Sequence, residues 1–454
     1  MTAGLPVPDL AAYLGVDELR RRSERLAERC PGAVTLTTAG ASRRGEPILA
    51  LEIGEGDPVL AYGFPHPNEP IGGTALDCLA EALASDADLR RGLGLRWHIV
   101  KCADPDAARL NQGWFGGPFT PVNYALHYFR QPATEQVEWG FPAKYKDLVT
   151  GEPIPEVRAL MGLIDRVRPR FLFSLHNSNF SGVYYWVHRE EPALYPVLRR
   201  VVAEVGLPLH LGEPEHAIAR QHAPGVYRWA PISEMYDYFA RHFQGADIPA
   251  VLGTGSSCEE YAARVSGAFS LAMEVPIFSS PVIADTTLTG VTRRQAALDE
   301  IDELRAFYAF MREQATAVAG LLSPSYHEAT MRTYERLDGT LASRVHYVTG
   351  DEDFARLATV AEVADRRHMH RLNRMLPLGM FIRVVEGRLK KAGGEAAARL
   401  LQAKERLLTR LLEEDEALKK QITCEALPIR CQVDLVLRSM LETLRYFRGR
   451  GRDG

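Results

Sequence analysis

The sequence predicts an α/β fold, a mixed and mostly parallel sheet flanked by helices, followed by an α-helical C-terminal region. Three observations predict it. Short apolar runs such as PVLAYGF, RFLFSLH and GAFSLAMEVPIF alternate with helical segments through the first two-thirds of the chain. These runs are nearly continuous in apolar residues, as expected of strands covered on both faces. Past about residue 323, glycine thins out and long helical runs take over, such as EAAARLLQAKERLLTRLLEEDEALKKQ. The chain therefore divides into an α/β domain, 1–322, and a helical region, 323–454, with no low-complexity linker between them.

Taken in order, residues 10–30 carry apolar side chains at helical spacing. AVTLTTAG and PILALEIG read as two strands, and ASRRGE between them has turn character, so they form a hairpin. PVLAYGF is a third strand, GTALDCLAEALA a helix, and RWHIVKCA a further strand. Residues 112–155 are rich in glycine, proline and aromatics and lack a period, which suits long ordered loops shaping a site. VRALMGLIDRVRP and YPVLRRVVAEVG are helices around the RFLFSLH strand, which ends at His176. The last strand, GAFSLAMEVPIF, runs through Glu274, and a long helix from Arg293 closes the domain. In the C-terminal region Leu400, Leu401, Leu407, Leu408, Leu411 and Leu412 form a stripe suited to the protein's own core or to a second copy of the chain.

Composition narrows the function classes. The 454 residues are 46% hydrophobic and 25% charged with a net charge of −4, and no long basic run or basic-aromatic repeat points to nucleic acid. The first residues show no basic start followed by an apolar core, so no signal peptide is expected. No window approaches the roughly 18 apolar residues of a membrane span. The six cysteines are scattered, which suits reduced thiols in a cytoplasmic protein.

The chemistry concentrates where strands end. His66 and Glu69, in FPHPNEP, directly follow the VLAYGF strand; His176 ends a second strand, and Glu274 lies on a third. Rigid strands aim such residues at one point outside the sheet. A catalytic zinc takes three ligands from His, Glu or Asp and leaves a position for water, and a nearby carboxylate serves as general base. HPNE alone reads as a polar turn, and Glu274 alone as a buried ion-pair partner or a strand-end residue pointing to water. The order His-x-x-Glu, strand-terminal His, strand Glu is the more specific signal.

With these segments in hand, residues 9 to about 315 resemble the zinc carboxypeptidase family, the metallocarboxypeptidases related to pancreatic carboxypeptidase A. GASRRGEPILALEIG, FPHPNEPIGG, ADPDAARLNQGWF, FLFSLHNS and GTGSSCEEYAARVSGAFSLAMEVP are similar, in order, to five of its segments. The resemblance implies that His66, Glu69 and His176 bind Zn2+ and that Glu274 is the general base. It further implies that Arg109 stabilises the oxyanion, that Arg130 grips a substrate carboxylate, and that Asn111 contacts substrate. The chain departs from the family at several points. Asp104 and Ala107 replace an Asn and a Gly, Phe129 rather than Asn precedes Arg130, and Asn177 replaces the serine after the third ligand. No tyrosine lies near Val251, where the family has one over bound substrate; Tyr227, Tyr236 or Tyr238 are the nearby alternatives.

The expectation is zinc-dependent hydrolysis of a peptide or amide bond that releases a C-terminal residue. The alternatives are deacylation of a small N-acyl amino acid or specialised metabolite, and a non-catalytic binding module on the same fold. Partners are a peptide or small amide, without nucleic acid or membrane, and a second copy docking through the C-terminal helices. His210, His216 and His222 read as solvated or hydrogen-bonded, His368 and His370 as members of one helix, and Cys258 as a small buried residue.

Overall fold

The computed structural model describes residues 5, 7–215, 218–242, 247–252, 255–322 and 341–450. The expected boundary at 322/323 adjoins residues 323–340, which, like His216, lie outside the described residues.

Strands β1 (Val34–Ala41) and β2 (Pro47–Ile53) form the expected hairpin, and β3 (Asp57–Gly63) and β4 (Leu95–Val100) follow. The aperiodic stretch holds a small separate hairpin, β5 (Lys144–Tyr145) and β6 (Leu148–Val149), and a short helix, Pro121–His127. Next come β7 (Phe171–Phe180), β8 (Tyr184–Val187), β9 (Arg220–Ala223), β10 (Val226–Arg228) and β11 (Phe269–Ser279). A second small pair, β12 (Leu288–Thr292) and β13 (Leu357–Thr359), and a short strand, β14 (Glu425–Ala426), complete the set. The main sheet runs β1-β2-β4-β3-β7-β11-β8-β10-β9, with β14 added to the end of β11. Its centre, β4-β3-β7-β11, is parallel, and antiparallel strands flank it. The sheet is thus mixed, with its longest pairing, β7 to β11, parallel.

Every residue of β11 is buried, which is why that segment tolerates so few polar side chains. Strand alternation divides the core in two. Val59 and Ala61 on β3, Phe171, Phe173 and Leu175 on β7, and Leu271, Met273 and Val275 on β11 join one cluster. Leu60, Tyr62 and Leu172 join the other, beneath the helices Pro155–Val167 and Cys258–Ser266. By the same parity His176 and Glu274 point to the Leu60–Leu172 side.

Glycines bring the segment after β3 close to the sheet. A Cβ on Gly72 would lie 2.6 Å from the Gly63 Cα and 2.8 Å from the Leu175 Cβ, and one on Gly63 would lie 2.4 Å from the Gly73 nitrogen. Only glycines let the first turn of the helix Ile71–Ser85 sit directly on the ends of β3 and β7.

The helices beyond residue 340 share this core. The helix Ile429–Arg450 packs on Ile71–Ser85 and Tyr195–Val205, with Val433, Val436, Leu437 and Met440 in the first cluster. His370–Leu389 packs on Gly394–Gln421 and, through Gly379, on Ala125 of the short helix Pro121–His127. The leucine stripe is split: Leu400, Leu407 and Leu411 are buried, whereas Leu401 and Leu412 are exposed. Between the two halves lies a network of buried charge in which Arg293 and Arg366 grip Glu213, and Arg344 and Arg366 grip Glu300. Among the described residues no helix is long and apolar enough to cross a membrane.

Candidate metal centre and catalytic site

Beyond β3 the chain turns at Phe64, a buried residue with φ 55°. A bulky side chain in the left-handed region costs of order 1–3 kcal/mol and persists only where the surroundings enforce it. The turn delivers His66 and Glu69 beside His176, which lies midway along β7; the strand expected to end at His176 runs on to Phe180. One Glu69 oxygen lies 2.9 Å from His66 Nδ1 and the other 3.0 Å from His176 Nδ1. A single carboxylate thus faces two imidazoles. On the far side of the rings, Glu138 lies 2.7 Å from His66 Nε2 and 3.6 Å from His176 Nε2. Glu274, the register partner of His176 on β11, brings an oxygen to 3.7 Å from His176 Nδ1. His176 is 1% exposed, Glu69 and Glu138 3% each, and Glu274 9%.

Arg130 enters from the aperiodic stretch. Its Nη2 donates to Glu69 at 2.6 Å and its Nε to the Asn68 Oδ1 at 3.0 Å. Asn111 fixes this segment by clamping the backbone of Phe129: its Oδ1 accepts from the Phe129 nitrogen and its Nδ2 donates to the Phe129 oxygen.

Burial opposes charge throughout the cluster, and the neighbours decide the outcome. Glu69 is held well below the ordinary carboxylate range despite its burial, because His66 and His176 face it. Glu138 is lowered against its burial by the same two rings. His66 is raised although burial and Arg130 oppose it, through Glu69 and Glu138. His176 is raised well above the ordinary imidazole value, against burial, by Glu138, Glu274 and Glu69. Glu274 is pushed far up, by burial first and with Glu215, Glu69 and Glu138 adding to it against the pull of His176. Among the described residues, several carboxylates here share one permanent cation, Arg130, so the cluster calls for further positive charge at its centre.

A divalent metal would answer that demand. Zinc takes N and O donors at about 2.0–2.2 Å, so donors on one ion lie roughly 3 Å or a little more apart, the separation seen between Glu69 and both Nδ1 atoms. His66, Glu138 and His176 also form a buried group whose donor atoms lie within 4.8 Å of one another. His176 Nε2 is buried without a hydrogen-bond partner among the described residues. The two imidazoles therefore have a carboxylate on either face. Only one face can carry the metal, and the carboxylate on the other then accepts the ring N–H, as the outer partners of metal-bound histidines do.

The structure brings His66, Glu69, His176, Glu274 and Arg130 together but not Arg109 or Asn111. Arg109 donates to Asp17 at 2.8 and 2.7 Å and to Glu46 at 3.3 Å, where it ties the helix Val16–Arg29 to the β1–β2 turn. The oxyanion role expected of Arg109 is therefore corrected to a structural one. The Asn111 amide is spent on Phe129, so its expected substrate contact is corrected to support of the Arg130 loop. Of the alternative tyrosines, Tyr236 donates to Asp147, and Tyr238 packs on His242 and Tyr347. Tyr227 joins an aromatic wall beside the site. Tyr184 is the register partner of Glu274, Trp186 that of Ala272, and Tyr227 that of Trp186, so all three share the face bearing His176 and Glu274. Trp229 packs on Trp139 and Trp186, and the Tyr184 hydroxyl donates to Glu215 at the wall's outer end. Sequence reasoning missed Glu138, Asn68 and this wall. The aromatic run YYWV was the one available signal, while Glu138 sits in a stretch with no period.

No family model matches the sequence, and no curated protein matches it. The structure is similar to those of solved metallocarboxypeptidases. Among them are the carboxypeptidase A of Helicoverpa armigera (17% identity, TM-score 0.40, covering 59% of this chain and 65% of that one) and a metallo-carboxypeptidase of Burkholderia cenocepacia (14%, 0.38, 58% and 60%). A third is the metallo-carboxypeptidase of Pseudomonas aeruginosa, solved in complex with (2-guanidinoethylmercapto)succinic acid (18%, 0.33, 57% and 60%). The matched region spans less than two-thirds of each of these three chains.

Proposed function

We propose that this chain is a zinc-dependent hydrolase of a peptide or amide bond, releasing a C-terminal residue. The observation that carries the reading is the convergence of both His Nδ1 atoms on the two oxygens of Glu69, with Glu274 approaching from that same side. His66, Glu69 and His176 would hold the ion, with Glu138 placed to accept the Nε2 proton of His66. Zinc so held supplies Lewis-acid activation of water and of the scissile carbonyl.

The chain's own residues do the rest. Glu274 takes a proton from the attacking water and later passes it to the leaving amine. Burial raises its proton affinity, which suits a group that must both accept and return a proton. Arg130, about one-third exposed, has a guanidinium edge at the site and pairs with the substrate carboxylate. The aromatic wall beside Glu274 packs on the released residue and excludes water.

The enclosure of the site favours a second reading on the same chemistry, deacylation of a small N-acyl amino acid. The two are separated by assaying zinc-loaded protein on a panel of blocked dipeptides, longer peptides and N-acyl amino acids. Turnover across peptide lengths supports the first reading, and turnover confined to N-acyl amino acids supports the second. Absence of tightly held zinc overturns both.

A further inference from the structure

The residue after His176 is an asparagine whose amide reaches all three segments of the site. Asn177 is 2% exposed. Its Oδ1 accepts from the Ile71 nitrogen at 3.0 Å, two residues beyond Glu69. Its Nδ2 donates to the Val275 oxygen at 2.9 Å, next to Glu274, and to the Gln432 Oε1 at 3.3 Å. The orientation of the amide is unambiguous, because one partner is a backbone N–H and another a backbone carbonyl; a flipped amide would set donor on donor and acceptor on acceptor. Gln432, fully buried on the helix Ile429–Arg450, accepts from the Tyr13 hydroxyl at 2.9 Å and donates to the Leu427 oxygen at 2.9 Å. Leu427 in turn donates its N–H to Ile277 of β11, immediately after β14 pairs with that strand.

We propose that Asn177 and Gln432 are a positioning pair. Together they set the spacing between the two ligand segments and the strand that carries Glu274, and through Gln432 the C-terminal helix becomes a component of the metal centre. The proposal rests on the metal assignment made above. Neither side chain touches the ion or the reacting atoms; both act through the backbone on either side of those that do. A buried amide whose donors and acceptor are all used has one low-energy arrangement, and loss of any partner leaves a desolvated polar group that drags its neighbours. Asparagine suits this place because it offers an acceptor and two donors, whereas a serine hydroxyl has one hydrogen to give.

The test uses the full chain and zinc alone. Zinc affinity is measured by competition with a chromophoric chelator, and ligand geometry by the visible spectrum of the cobalt(II)-substituted protein. Gln432→Leu and Asn177→Asp are expected to bind zinc roughly 10- to 100-fold more weakly, the range for outer partners of metal ligands, and to shift the cobalt bands. Val436→Ala, a core truncation on the same helix, is expected to lower the melting temperature while leaving zinc affinity and the cobalt spectrum as in the wild type. If Gln432→Leu fails to fold, Asn177→Asp and Gln432→Met carry the same comparison. The pair is refuted if the folded variants keep wild-type affinity and cobalt spectrum, or if Val436→Ala weakens zinc as much at equal loss of stability. A wild-type chain that holds no zinc overturns the proposed function itself, a result distinct from wild-type zinc binding with unaffected variants.

Discussion

Glu274 and His176 are register partners on neighbouring parallel strands, and their side chains meet at 3.7 Å on one face of the sheet. A proposed base and a proposed ligand are thus held at a spacing set by backbone hydrogen bonds rather than by a loop. Glu274→Gln keeps the shape of the side chain and removes its proton traffic. The variant should retain zinc and lose turnover by about 10²- to 10⁴-fold. Metal analysis and single-turnover assays on the same preparation check both halves, and undiminished turnover excludes the role.

The metal centre predicts a stability effect separate from activity. An ion bound to the folded state alone at a thousand times its dissociation constant adds about 4 kcal/mol. Purified protein should carry about one zinc per chain, and chelation should lower its melting temperature. His176→Ala should show no rise in melting temperature on adding zinc. Equal melting of the wild type with zinc and with chelator would count against the site.

Arg130 should govern recognition of a carboxylate. Charged hydrogen bonds contribute about 1.5–3 kcal/mol, or roughly 10- to 150-fold in kcat/KM. The wild type should prefer a substrate with a free carboxylate over its amide by about that factor, and Arg130→Ala should erase the preference. A preference that survives the substitution would place the grip elsewhere.

Gly72 should resist replacement. The Cβ of Gly72→Ala would press on the Gly63 backbone and the Leu175 side chain together. Overpacking of this kind costs about 1–3 kcal/mol, readable as a lower urea midpoint. The same substitution at Gly162, whose Cβ meets nothing within 4 Å, should be far milder. Similar midpoints for the two variants would contradict the close approach.

Glu300 predicts a pH dependence. It is fully buried and accepts from Arg344 at 2.6 Å and Arg366 at 2.8 Å, with His370 3.4 Å away. Burial opposes its charge, but His370, Arg344 and Arg366 outweigh it and hold the carboxyl at about 2. His370 is itself lowered, by burial first. A folded value below the unfolded one stabilises above the unfolded pKa of 4.5 and is lost as pH falls toward 2. The contribution is on the order of 3 kcal/mol at pH 7 and falls to under about half of that by pH 3. The stability gap between wild type and Glu300→Gln, measured in urea, should narrow accordingly, and a pH-independent gap would refute it.

The site's skeleton was legible because it follows local rules. His66, Glu69 and His176 follow or close an apolar run and Glu274 lies within one, where a polar residue needs a reason, and strand parity then puts two of them on one face. Arg109 misled because its partner, Asp17, is 92 residues away and nothing nearby announces the pair. Glu138 was invisible for a different reason: residues 112–155 have no period, so no residue in that stretch can be assigned a direction from the sequence. Asn177 was noticed as a departure from the expected serine, but its partner Gln432 lies 255 residues further on, in the helix Ile429–Arg450, beyond the leucine stripe. The helix from Arg293 was expected to run to about 322 and instead ends at Ala317.

The helix Ile429–Arg450 also has a consequence for the chain as it is made. A ribosome makes strands β1 to β11 and both histidines long before it reaches Gln432. Until then the apolar faces of Ile71–Ser85 and Tyr195–Val205 that this helix covers stand open to water. The nascent protein therefore passes through a stage with its strands made and this flank uncovered, when chaperones would find it most easily. Stalled or truncated products ending before β14 should aggregate rather than accumulate as a smaller, working form.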